Sequence, residues 1–107
     1  MWYIFPQLKG LGYSKKSDYY GIEDLAEAKA YIDHPILGKR LVEISNVLLS
    51  LQESDPEEIM GYPDNLKLLS CMTLFEKATP EINVFGKVID KFYNGIRDEK
   101  TLKRIPK

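Results

Sequence analysis

Leu37-Gly38-Lys39-Arg40-Leu41-Val42-Glu43-Ile44-Ser45-Asn46-Val47-Leu48-Leu49-Ser50-Leu51 is the stretch on which the fold turns. Within it Leu37, Leu41, Ile44, Leu48 and Leu51 recur at steps of four, three, four and three. Those steps bring one apolar stripe back to the same side of an α-helix over about four turns, the strongest periodic signal in the chain. Val42, Val47 and Leu49 widen the stripe, which predicts a helix packed on more than one side. Pro35 fits a first helical turn, where its missing N–H costs nothing. The longest helix is therefore expected over roughly residues 35–52.

Outward from that helix the punctuation is also helical. Asp24-Leu25-Ala26-Glu27 resembles a capping box and predicts a short helix ending near Asp33. Ser54-Asp55-Pro56-Glu57-Glu58 supplies a cap, a proline at the first position and acids in the first turn, and Gly61 is a natural stop. Pro63-Asp64 opens a segment that places Leu66, Leu69, Met72 and Phe75 (or Leu68) on one face. Thr79-Pro80-Glu81 predicts another start, followed by the stripe Ile82, Phe85, Val88, Ile89 and Phe92 and a stop at Asn94-Gly95. Asp98 is placed to cap a last turn through Leu102. The first 23 residues read differently: an aromatic block, Pro6, and a loop with Gly10 and Gly12. Alternating runs are few, so the expected fold is all-α. It is a compact single-domain bundle, residues 1–107, of about five to six helices with an irregular aromatic N-terminal segment.

Composition agrees with such a domain and narrows the function classes. The 107 residues carry 15 Lys plus Arg against 16 Asp plus Glu, a net charge of -1, so no basic excess suggests a nucleic-acid partner. No apolar run approaches the ~18–20 residues of a membrane span, and no secretory signal is visible. A cytoplasmic protein is expected. Cys71 is the only cysteine and His34 the only histidine, which leaves no multi-Cys or His–His metal site; no metal or cofactor is expected.

Few residues carry chemistry. His34 reads either as a general base or as a residue at a helix corner bonding a free helix-end group. Cys71 lies among apolar neighbours and reads as an ordinary buried thiol, dispensable for any ligand response. Glu57, Glu58 and the run Arg97–Glu99 read as solvated charges at helix starts. Trp2, Tyr3, Phe5, Tyr13, Tyr19 and Tyr20 crowd the first twenty positions, either as a pocket wall for a flat ligand or as a core plug.

Several blocks together resemble a known family. They are Trp2–Leu8, Tyr19–Ile22, Ala28–Ile32, His34–Leu41, Asp64–Lys67, Ser70–Phe75 and Phe92–Gly95, in collinear order over essentially the whole chain. The chain is similar to bacterial domain-of-unknown-function family 1810, often labelled "calpastatin". The resemblance implies an all-helical fold and no established activity. Calpain inhibition is not expected, because inhibitors of that name are long, repetitive and disordered. Relatives often have serine where Tyr62 and Cys71 stand, and commonly carry a further helix before the segment matching Met1–Gln7. Without that cover the aromatic block would expose apolar surface, so either weak self-association through it or a mobile, partly exposed N-terminal block is expected.

Two functions follow from these residues. The first is a helical binding or interaction module for a protein or small-molecule partner. The alternative is a small-molecule binding or processing enzyme acting on a nucleotide or ADP-ribose-like compound. For it Trp2 or Tyr20 would stack on a base, Gln7 would read a ligand edge, and Arg40 would clamp a phosphate. His34 or Asp64 would act as base beside Lys67. The competing structural role for Arg40 and Asp64 is an ion pair joining two helices.

Overall fold

A computed structural model describes residues 22, 24–61 and 64–104, and six helices organise them. They are α1 (Leu25–Asp33), α2 (Leu37–Ser50), α3 (Pro56–Met60), α4 (Asp64–Ala78), α5 (Val84–Tyr93) and α6 (Glu99–Arg104). The fold is all-α, as the cap and stripe pattern predicts. Trp2, Gln7, Tyr20 and the rest of the aromatic block lie outside the described residues.

Most helix ends follow from local chemistry. Asp24 Oδ1 accepts the Glu27 N–H at 2.9 Å and starts α1. Asp55 Oδ1 accepts the Glu57 N–H at 3.0 Å ahead of Pro56, and Gly61 ends α3 with φ 76°. Asn94 and Gly95 end α5 with φ of 54° and 79°, the left-handed conformation that lets the last carbonyls be capped. Asp98 Oδ2 accepts the Thr101 N–H at 3.0 Å and starts α6.

Three expectations need correction and a fourth holds in part. Among the described residues the longest helix is α4, at 15 residues, against 14 for α2. The helix expected from Pro80 begins only at Val84. The reason lies in Thr79: buried, it donates its hydroxyl back to the Phe75 carbonyl at 2.7 Å, so it closes α4 instead of opening α5. The widened stripe of α2 holds in part: α2 packs against two helices, with Val42 and Leu49 against the core, but Val47 is 52 % exposed and Leu37 and Leu51 are also exposed. Arg97 and Asp98 are not fully solvated charges, although Asp98 does stand at a helix start, as the cap of α6. Arg97 makes a two-point contact with Glu76, Nε to Oε1 at 2.9 Å and Nη2 to Oε2, while Asp98 bonds Ser70, Thr73 and Thr101.

The core is centred on α4, which packs against α1, α3, α5 and α6, while α2 packs against α1 and α5. Leu68 and the five successive residues Cys71–Phe75 are buried, so α4 is enclosed on most of its circumference. Phe75 stands between Tyr31 of α1 (ring centroids 5.6 Å apart) and Phe85 of α5 (5.8 Å). From α5 the buried stripe is Val84, Phe85, Val88, Ile89 and Phe92. The part of α2 that this core does not cover is its outer face beside α1.

Candidate functional site

The corner between α1 and α2 is built by three residues. His34 closes α1 through its N–H, bonded to the carbonyls of Ala30 and Tyr31. Its Nδ1 accepts the N–H groups of Ile36 at 3.2 Å and Leu37 at 3.1 Å, and its carbonyl takes the Gly38 N–H at 3.0 Å. His34 therefore serves as the side-chain cap that Ile36 does not provide, with Pro35 in the turn. Gly38 then allows the two helices to touch backbone to backbone: a Cβ at this position would lie 1.8 Å from the Ile32 carbonyl oxygen.

The far end of α2 is held just as firmly. Lys91 of α5 places Nζ on the carbonyls of Leu48 (2.8 Å), Leu49 (3.2 Å) and Leu51. A cation at a helix C-terminus both satisfies free carbonyls and complements the helix dipole. Pinned at both ends, α2 presents a fixed face.

On that face lies a groove of about 440 Å³. Leu37, Leu41, Ile44 and Val47 give its apolar lining, Arg40 and Glu43 its charged groups, and Tyr31 is the contribution from α1. Lys39 sits 3.9 Å from Glu43. Among the described residues Arg40 has no carboxylate within ion-pair distance. Burial raises the Tyr31 phenol above its ordinary value of 10.0, Cys71 adds to the rise and the Arg40 charge opposes it. Tyr31 is therefore a protonated phenol at neutral pH.

Of the described sequence candidates, Arg40 lines this groove, whereas His34, Asp64 and Lys67 are not among its lining residues. His34 spends Nδ1 on the α2 cap, as the helix-corner role requires. Asp64 lies 3.9 Å from Lys67, three residues along the same helix, and not within ion-pair distance of Arg40. Cys71 is fully buried, and burial pushes its thiol well above 9.0, so no thiolate is available near neutral pH. Among the described residues no three His, Cys, Asp or Glu side chains are grouped to hold a metal ion. Nor is any helix there long and apolar enough to cross a membrane. Tyr31 and Val47 were not singled out as site residues by sequence; the usable signal was the excess of apolar positions on α2 beyond a single stripe.

Comparison with known proteins gives a family and a fold. The family model described as "Protein of unknown function (DUF1810)" matches residues 1–105. Among solved structures, the crystal structure of the conserved hypothetical protein Rv1873 from Mycobacterium tuberculosis is similar, with 44 % identity and a TM-score of 0.94. The match covers 97 % of this chain and 74 % of that one. No curated protein matches the chain.

Proposed function

The chain belongs to the DUF1810 family of proteins of unknown function, and from that premise we propose that it is a binding module whose recognition face is the α1–α2 groove. One observation carries this reading: apolar side chains of α2 line a groove left open on a helix that is pinned at both ends. Exposed apolar surface beside a rigid wall favours ligand burial, because little ordering is required on binding. The groups that would do chemistry are otherwise engaged, His34 in a cap and Cys71 in the core. We take residues 1–107 as one domain, since the family match runs through residues 1–105. The mycobacterial neighbour and the single free thiol support a bacterial, cytoplasmic setting.

The test uses a neutral apolar probe. Titrating 2-naphthamide into ¹⁵N-labelled protein should shift the amide signals of Leu37, Ile44 and Val47 and leave those of α6 in place. Val47→Glu should abolish the shifts. Shifts confined to other helices, or none with either this probe or an apolar peptide, would refute the groove as the recognition face.

A further inference from the structure

The position of Arg40 within the groove says what kind of ligand it suits. At about 100° per residue, Arg40 falls roughly 20° from Val47 and roughly 40° from Ile44 around α2, on opposite sides. Arg40 is thus flanked by apolar residues on both sides, next to the polar edge that Glu43 begins. Glu43 falls roughly 60° away, beyond Val47, and has its own cation in Lys39 at 3.9 Å. The apolar lining of Leu37, Ile44 and Val47 offers no acceptor side chain to Arg40, and no carboxylate of the described residues pairs with it. Across the groove Tyr31 adds a phenol that is protonated at neutral pH and can donate.

We propose that the α1–α2 groove takes a small organic acid with an apolar body, its carboxylate held by Arg40 while the body covers Leu37, Ile44 and Val47. The proposal rests on the groove being the recognition face and adds the charge and size of the occupant. A guanidinium presents a planar fork that matches a carboxylate at two points, and its attraction rises as the apolar body excludes water. A free small molecule fits better than a helical segment of a partner. Helix-in-groove recognition uses anchors along two walls, and among the described residues α1 supplies only Tyr31. The volume of about 440 Å³ also falls within the ~300–1,000 Å³ range of small-molecule sites.

A matched series decides it: 2-naphthoate, neutral 2-naphthamide and cationic 2-naphthylmethylammonium, titrated by NMR into the wild-type protein and into Arg40→Gln and Val47→Glu. Arg40 and Val47 are exposed, so both variants should fold, which circular dichroism and melting would verify. The naphthoate should bind about tenfold or more tightly than the amide, and the ammonium most weakly. Arg40→Gln should bring acid and amide within about twofold of each other, and Val47→Glu should abolish binding of the amide and weaken that of the acid. Equal affinity for acid and amide in the wild-type protein would overturn the organic-acid proposal and leave the groove reading standing. Acid preference that survives Arg40→Gln would overturn the role of Arg40. Binding of apolar peptides with no binding of the free acid would overturn the choice of a small molecule. If no naphthyl compound and no apolar peptide binds, both the proposal and the groove reading fall.

Discussion

α2 and α4 are both rich in apolar residues, but they use them differently. α2 buries one narrow line, Gly38, Leu41, Ser45 and Leu48, and leaves Leu37 and Val47 facing the groove. α4 buries Leu68 and all of Cys71–Phe75, residues that no single stripe contains. The helix with the clearer repeat is the peripheral one, and the helix with the blurred repeat is central. Periodicity measures how one-sided a helix is, because polar residues must mark a solvent face for a stripe to stand out. Apolar residues in excess of that stripe on a peripheral helix are a different signal: grouped beside a groove, they offer surface that more protein or a ligand can cover.

The sharpest way to break this comparison is to truncate both helices. Phe75→Ala should be the most destabilising substitution on α4, by ~3–5 kcal/mol, because the ring is fully buried and contacts Tyr31 and Phe85. Leu41→Ala on α2 should cost ~2–5 kcal/mol, and Ile44→Ala, half-buried at the groove, distinctly less. Denaturant melts would measure all three. A Phe75→Ala protein no less stable than Ile44→Ala would mean that α4 is not the centre of the core.

Gly38→Ala probes the join between α2 and α1 and not the content of either. Helix propensity alone favours alanine by ~1 kcal/mol. Against that, the new methyl would meet the Ile32 carbonyl oxygen at 1.8 Å, contact with fixed backbone that only separation of the helices can relieve. A net loss on the order of 2–3 kcal/mol is expected, together with altered naphthamide binding, because the groove spans the same two helices. A more stable Gly38→Ala protein in thermal melts would show that the corner is looser than the structure has it.

Legibility in the sequence divides along the same line. Caps are local, so Asp24, Asp55, Asn94-Gly95 and Asp98 were readable without the fold. Thr79 misled because one hydroxyl can serve the helix behind or the helix ahead, and burial against α4 decides which. The bonds from Lys91 to the end of α2 and the Arg97–Glu76 pair join residues far apart in sequence, which no local pattern announces. At the site, Arg40 was readable as a candidate anion contact, but whether Val47 met protein or open groove was not: a widened stripe looks the same in either case. The helix-corner reading of His34 was legible because its contact is local: Nδ1 accepts N–H groups two and three residues on.

The polar edge of α4 offers a test by pH. Bonding to Arg97 holds the Glu76 carboxyl below its ordinary value of 4.5, outweighing the opposing effect of burial. A carboxylate depressed on folding adds stability that is fully present above its unfolded value and is lost as pH falls through the folded one. Wild-type stability should therefore decline below about pH 4.5, and Glu76→Gln should flatten that decline while lowering stability at neutral pH by ~1 kcal/mol, the modest size expected of a partly exposed pair. Urea melts at pH 3 and pH 7 would check it; an unchanged acid slope in Glu76→Gln would remove the Arg97 pair from the account.

The smallest expected effect is the one that separates the two helices most cleanly. Val47 is 52 % exposed, so Val47→Lys removes an apolar side chain that contributes little to the core. Lysine is also the better helix former by a few tenths of a kcal/mol. The two effects nearly cancel, and the melting midpoint should stay within the range of ~0.5 kcal/mol typical of surface changes. Met72→Lys, the same chemical change at a fully buried position of α4, should prevent stable folding, because the ammonium would have no water and no designed partner. If Val47→Lys instead destabilised the protein as a core substitution does, Val47 would be covered, the widened stripe of α2 would be packing surface, and α2 would differ from α4 only in degree.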